Sequence, residues 1–192
     1  MPEAPGFACD ASVLINLLAT HRLADVLRAL AAPAFVADEA FAEVLVDPRD
    51  RKRNPDVLGP FVASGALTRV ALDEAARETF LDLTATEPDG LDDGEAATLA
   101  YAVHRGCAAA IDESKARALC GRQYPGLRVV TTVDLLRSDP VRRALGEEAV
   151  VEATFQALRR ARMSVPTEHL GWVRQVLGPE RLALCSSLRR RP

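Results

Sequence analysis

The chain has 192 residues, 48% of them apolar, and a formal net charge of −3. That size suits one domain with an appendage, and that apolar share excludes wholesale disorder. No stretch reaches the ~18 uncharged apolar residues of a membrane helix, and Met1-Pro2-Glu3-Ala4-Pro5 lacks the basic start of a secretory signal.

Gly6–Asp10 reads as a short buried strand ending in an acid. From Ser12 to Leu30 the apolar residues Val13, Leu14, Leu17, Leu18, Leu23, Val26, Leu27 and Leu30 follow helical spacing, with a break near Thr20-His21-Arg22. Ala34–Ala37 is a second strand. Asp38 is placed to cap a helix running through Leu45, which Asp47-Pro48 halts. Residues 47–60 hold three prolines and a glycine beside Arg49, Arg51, Lys52 and Arg53, and read as loop. Leu67–Leu72 suits a third strand, with Asp73 capping the helix after it. Asp89-Gly90 then breaks the chain, and Asp92-Asp93-Gly94-Glu95 opens a helix closed by Gly106. Cys107–Ile111 is a continuous apolar strand ending in Asp112. Ser114–Cys120 returns to helix, and Leu127–Thr132 is the fifth strand. From Asp134 onward the pattern is helical, with breaks at Gly146, at Ser164-Val165-Pro166 and at Gly178-Pro179.

Short apolar strands bounded by helices predict an α/β fold: a doubly wound parallel five-stranded sheet covered on both faces. The chain divides into a body, residues 1–146, and a helical C-terminal extension, residues 147–192, packed on it. Charge follows a similar division, because residues 1–136 carry a net −8 and residues 137–192 a net +5. Local patches rather than net charge touch phosphates, so nucleic acid is not excluded. Cys9, Cys107, Cys120 and Cys185 form no C-x-x-C pair. A reduced, cytoplasmic protein is expected, not a disulfide scaffold or zinc site.

Ligands of open α/β sheets sit at the carboxyl ends of strands. Two of the expected strands end in aspartate, Asp10 and Asp112. If those strands are neighbours, both carboxylates open onto one crevice, where Glu43 and Glu95 can join them. Such a set repels itself and calls for a hard cation with oxygen ligands, Mg²⁺ or Mn²⁺. A cation of that kind suits phosphodiester hydrolysis. His21, His104 and His169 read as helix-surface residues, and neither a G-x-S-x-G, a Walker A nor a G-x-G-x-x-G motif is present.

Each acid also has a plainer reading. Asp10 can serve only as a helix N-cap, and Glu39 competes with Glu43 one turn away on the same face. Asp92 and Asp93 are natural caps, leaving Glu95 as the leading acid and Asp93 as an auxiliary. Glu113 reads as solvent-facing. Arg117 is equally suited to a salt bridge and to a contact with substrate or an acid. The basic loop at 49–53 is diluted by Asp47, Asp50 and Asp56.

The run Cys9-Asp-Ala-Ser-Val-Leu-Ile-Asn-Leu-Leu18 resembles the opening motif of PIN-domain nucleases. Phe41-Ala-Glu43, Leu91-Asp-Asp-Gly-Glu95, Ala110-Ile-Asp112 with Arg117, and Val129–Leu136 are similar to that family's later motifs, in the same order. The likeness spans about residues 7–165 and is nearest to stand-alone prokaryotic PIN-like proteins related to VapC toxins. It implies a Mg²⁺- or Mn²⁺-dependent endoribonuclease acting on RNA, often the toxin of a toxin–antitoxin pair and often a homodimer. It further implies Asp10, Glu43, Glu95 and Asp112 as the metal acids, with Ser12 supporting the first-acid loop. Two positions depart from the pattern: Ala11 stands where a threonine is usual, and Thr131-Thr132-Val133 replaces a glycine-containing turn. Those departures and the extra tail keep a rival open, a PIN-like protein-interaction module that no longer cuts.

Overall fold

A computed structural model describes residues 6–85 and 90–188. It runs β1 (Phe7–Cys9), α1 (Ala11–Ala19), α2 (Leu23–Leu30), β2 (Ala34–Ala37), α3 (Asp38–Glu43), α4 (Gly59–Ala63), β3 (Thr68–Val70) and α5 (Glu74–Ala85). The second half continues with α6 (Asp93–Arg105), β4 (Ala108–Ala110), α7 (Ser114–Gln123), β5 (Val129–Val130), α8 (Thr132–Arg137), α9 (Asp139–Leu145), α10 (Glu147–Gln156) and α11 (Leu170–Ala183).

The five strands form one sheet in the order β3-β2-β1-β4-β5, and every pairing is parallel. Side chains alternate between the faces of a strand, and both faces of the inner strands β1 and β4 are covered, whereas the edge strand β3 exposes Thr68 and Arg69. Phe7, Cys9, Ala108 and Ala110 pack with α1, α2 and α8 residues such as Leu14, Leu17, Leu27 and Leu136. Ala8 and Ala109 point the other way, into Leu83, Leu99, Ile111 and Leu119. Strands buried on both sides have no polar face, which explains their continuous apolar runs. Gly6 admits the chain to β1 at φ +92°, where an added Cβ would lie 2.2 Å from the Pro33 carbonyl oxygen.

Several boundaries differ from the sequence expectation. The break near Thr20-His21-Arg22 is present as expected, with His21 at a left-handed φ of 61° between α1 and α2, but other bounds shift. Asp38 is the first residue of α3 rather than its cap; its carboxylate instead pairs with Arg69 Nε at 2.5 Å. The expected fifth strand shortens to Val129–Val130, because Thr131 caps α8 in a reciprocal capping box with Asp134. Within the loop at 47–60, Val46 pairs antiparallel with Arg53, and α4 begins at Gly59. Asp89 lies outside the described residues.

The chain after Gly146 is not a detached layer. Val150 and Ala153 of α10 share the core of α1 and α2, and a π-helical turn, Ala157–Ala161, follows. A further core joins Val133 of α8 to Leu158, Met163, Val173 and Leu177. His169 is buried, contrary to its expected surface position. Its Nε2 lies 2.8 Å from Asp134 Oδ1, and its Nδ1 lies 2.9 Å from Arg137 Nη1. Guanidinium groups only donate, so Nδ1 accepts and Nε2–H donates to Asp134. The four cysteines are buried, and none of them is in a disulfide. Among the described residues no helix is long and apolar enough to cross a membrane.

Candidate functional site: an acid-lined cleft at the strand ends

From the central β1 the chain builds β2 and β3 to one side, and later β4 and β5 to the other. The strand order therefore switches between β1 and β4, where this kind of sheet opens a crevice. The Asp10 N–H donates to the Ala110 carbonyl at 3.0 Å. Asp10 and Asp112 thus leave neighbouring parallel strands at the same edge, as expected from the sequence.

Asp10 is buried and caps α1. Its Oδ2 accepts from Ser12 N at 3.1 Å and from Ser12 Oγ at 2.5 Å. Its Oδ1 is buried with no hydrogen-bond partner among the described residues. A capping role therefore uses one oxygen and leaves the other free, so cap and ligand are compatible readings. Buried polar atoms without partners are uncommon and call for an explanation.

Asp112 is treated differently by its surroundings. Thr132 N donates to Oδ1 at 2.8 Å, while Thr132 Oγ1 and Asn16 Nδ2 donate to Oδ2 at 2.5 and 2.6 Å. Burial pushes this carboxyl up, against those hydrogen bonds and the Arg117 charge. Neither Asn16 nor Thr132 was picked out as a site residue from sequence. The available signal was an amide inside the apolar run Val13-Leu14-Ile15-Asn16-Leu17, on the α1 face of Ser12 one turn away.

Glu43 closes α3 and reaches α6, where its Oε1 accepts from Gly94 N at 2.7 Å. A Cβ at Gly94 would lie 2.6 Å from that oxygen, so the close approach requires glycine. Glu39, the rival acid one turn earlier, has a buried Oε2 without a partner. Glu95 is buried in the first turn of α6, and Asp92 caps that turn by accepting from Glu95 N at 3.3 Å.

Electrostatics tie these carboxyls together. Burial is the main cause that raises Asp10, Glu43 and Glu95 above the ordinary carboxylate range, and the Asp92 charge raises each further. The Asp10 charge adds to Glu43 and Glu95. Glu95 is pushed up to about 8, by burial first and then by Asp92, Asp10 and Glu113. Asp92 is thus a central charge of the cleft that sequence reasoning assigned only to capping. Asp93 and Glu113 are exposed. Arg117 sits 3.6 Å from Glu168 Oε1 and keeps a buried Nε without a partner.

Among the described residues, no three His, Cys, Asp or Glu side chains are grouped closely enough to hold a metal as they stand. The donor chemistry nonetheless fits a hard cation. The donors are oxygens, Asp10 Oδ1 is buried and unsatisfied among the described residues, and the raised proton affinity of Glu95 leaves a proton for a cation to displace.

An open parallel sheet with acids gathered at its switch point defines the class: an α/β protein with a carboxylate-lined cleft. A family model described as a PIN domain matches residues 7–178, and the chain belongs to that family. Its members are generally nucleases, hydrolases that bind nucleic acid and typically use divalent metals. No curated protein and no solved structure matches the chain.

Proposed function

We propose that this chain is a Mg²⁺- or Mn²⁺-dependent endoribonuclease, with Asp10, Glu43, Glu95 and Asp112 as its metal acids. The observation that carries this reading is the partnerless Asp10 Oδ1, buried in a cleft whose carboxyls raise one another's proton affinity. When bound, the cation supplies polarisation of a phosphoryl oxygen and acidification of a water. The chain's own residues prepare the place. Ser12 holds Asp10 through Oδ2 and leaves Oδ1 unengaged among the described residues, and the Gly94 amide holds Glu43 against α6. Asn16 and Thr132 orient Asp112. Asp93 and Arg117 stand at the rim as auxiliary groups.

The same reading extends to a toxin of a toxin–antitoxin pair, acting on RNA in the cytoplasm, with a cognate antitoxin and a homodimer as partners. Motif order supports it, as do four cysteines that stand outside any disulfide. A second reading, a protein-interaction module that does not cut, is favoured by Ala11 and by the lack of a ready three-ligand cage among the described residues.

Asp10→Asn separates the two readings, because the amide keeps an acceptor toward Ser12 and places its nitrogen at the partnerless position. Wild type should cleave single-stranded RNA in Mn²⁺, with cleavage lost in EDTA and in the folded variant. Equal turnover in all three, or none in wild type with Mg²⁺ or Mn²⁺, overturns the nuclease reading.

A further inference from the structure

On the Asp112 side of the cleft lies a cavity of about 250 Å³. Ser12, Asn16 and Asp112 line it from the body, and Arg162 and Ser164 line it from the chain that leaves the π-helical turn. That turn packs on α1, the helix that Asp10 caps. Wide turns of this kind recur at functional sites.

The arginines here have different fates. Arg160 donates through Nη1 to the Arg49 carbonyl at 2.6 Å, tying the turn to the basic loop. Arg159 lies over the Phe155 ring at 5.9 Å. Arg162 is exposed, and its guanidinium makes no hydrogen bond or ion pair among the described residues, although acids stand nearby. Those acids are already engaged. Asp112 accepts from Thr132 and Asn16, and Glu113, at the same cavity, accepts from Ser114 N and Oγ.

Arg162 also holds an unfavourable backbone, φ 59° and ψ 36°, the left-handed region that glycine fills without a steric cost. The backbone closure at this point, from the Arg162 and Met163 amides to the Ala157 carbonyl, needs no side chain. A long cation therefore occupies a glycine position without any structural bond to justify it.

We infer that Arg162 seats a backbone phosphate of the nucleic acid, adjoining the phosphate presented to the acids. The guanidinium fork grips phosphate oxygens in pairs, and its positive charge offsets the repulsion between a polyanion and the carboxylates. The inference rests on the nuclease reading for what enters the cleft, yet binding tests it apart from cleavage.

The full chain is titrated with a fluorescein-labelled single-stranded RNA in EDTA, across a range of KCl concentrations. Arg162→Gly should weaken binding about tenfold and flatten the log–log salt slope by about 0.7, the share of one phosphate contact. Arg162→Lys should recover part of the affinity, since charge remains while the fork is lost. Arg28→Ala, a charge removal late in α2 where the chain returns to the amino ends of the strands, should leave the slope unchanged. Thermal denaturation completes the test: glycine relaxes the backbone, so Arg162→Gly should melt no lower than wild type. Unchanged affinity and slope, no RNA binding by wild type, or a melting loss in the glycine variant overturns the inference. Normal wild-type binding with no cleavage in Mn²⁺ overturns the nuclease reading and leaves the phosphate seat standing.

Discussion

Replacing Glu95 with Gln removes a carboxyl that burial and three neighbouring acids push from 4.5 up to about 8. The unfolded chain releases that proton near 4.5, so between these values the folded state binds more protons and stability falls as pH rises. Every tenfold gain in proton affinity on folding corresponds to about 1.4 kcal/mol. Water at the cleft mouth screens a large part, leaving a penalty of roughly 2 kcal/mol at pH 8. Gln keeps the shape and carries no charge. In EDTA at pH 8 the variant should therefore melt about 4–8 °C above wild type, given about 2–4 °C per kcal/mol for a chain of this size. Toward pH 5 the gap should shrink, because the folded carboxyl is then protonated and the unfolded one nears its own titration at 4.5. Mn²⁺ should raise the wild-type melting temperature and barely move the variant. A variant that melts at or below wild type at pH 8, or gains equally from Mn²⁺, refutes the reasoning.

Gly94→Ala would press a Cβ against the Glu43 carboxylate, which is the far end of a flexible side chain and swings aside. Helix propensity favours alanine, so melting should hold steady or rise while Mn²⁺ affinity falls about tenfold, measured by titration calorimetry. Thr132→Val deletes the hydroxyl donor to Asp112 but keeps the backbone N–H contact. It should cost about 1–3 kcal/mol, read in urea denaturation, and reduce RNA cleavage with it. An unchanged midpoint would show that Asp112 does not depend on that bond. In wild type without metal, a pH scan of melting should decline from about pH 5 to about pH 8, following the rise in Glu95.

The sheet was legible because its inner strands β1 and β4 are buried on both faces. Runs such as Cys107–Ile111 have nothing polar to interrupt them, and an acid immediately beyond such a run marks a strand end. That reasoning placed Asp10 and Asp112 at strand ends and made their meeting conditional on the strands being neighbours, a condition that the pairing of Cys9 with Ala110 meets. Boundaries set by side-chain competition were less visible. Nothing local shows that Asp38 prefers Arg69 to its own helix, or that Thr131 leaves the strand to cap α8. The contacts that orient the site are long-range and were hidden for the same reason. Asn16 meets Asp112 from 96 positions away and Gly94 meets Glu43 from 51, distances that only the folded sheet closes. His169 was misplaced because a lone histidine early in a helical stretch carries no sign of the Asp134 and Arg137 side chains that enclose it.

Titration calorimetry of Mn²⁺ at pH 7, repeated in two buffers of different ionisation enthalpy, asks the acids directly whether they form one cation site. Saturable binding should release about one proton per ion, as the metal displaces the proton that Glu95 holds up to about 8. Asp10→Asn should abolish both the binding and the release. Heats that do not saturate, or binding that is proton-neutral and survives Asp10→Asn, would contradict a shared cation site in this cleft.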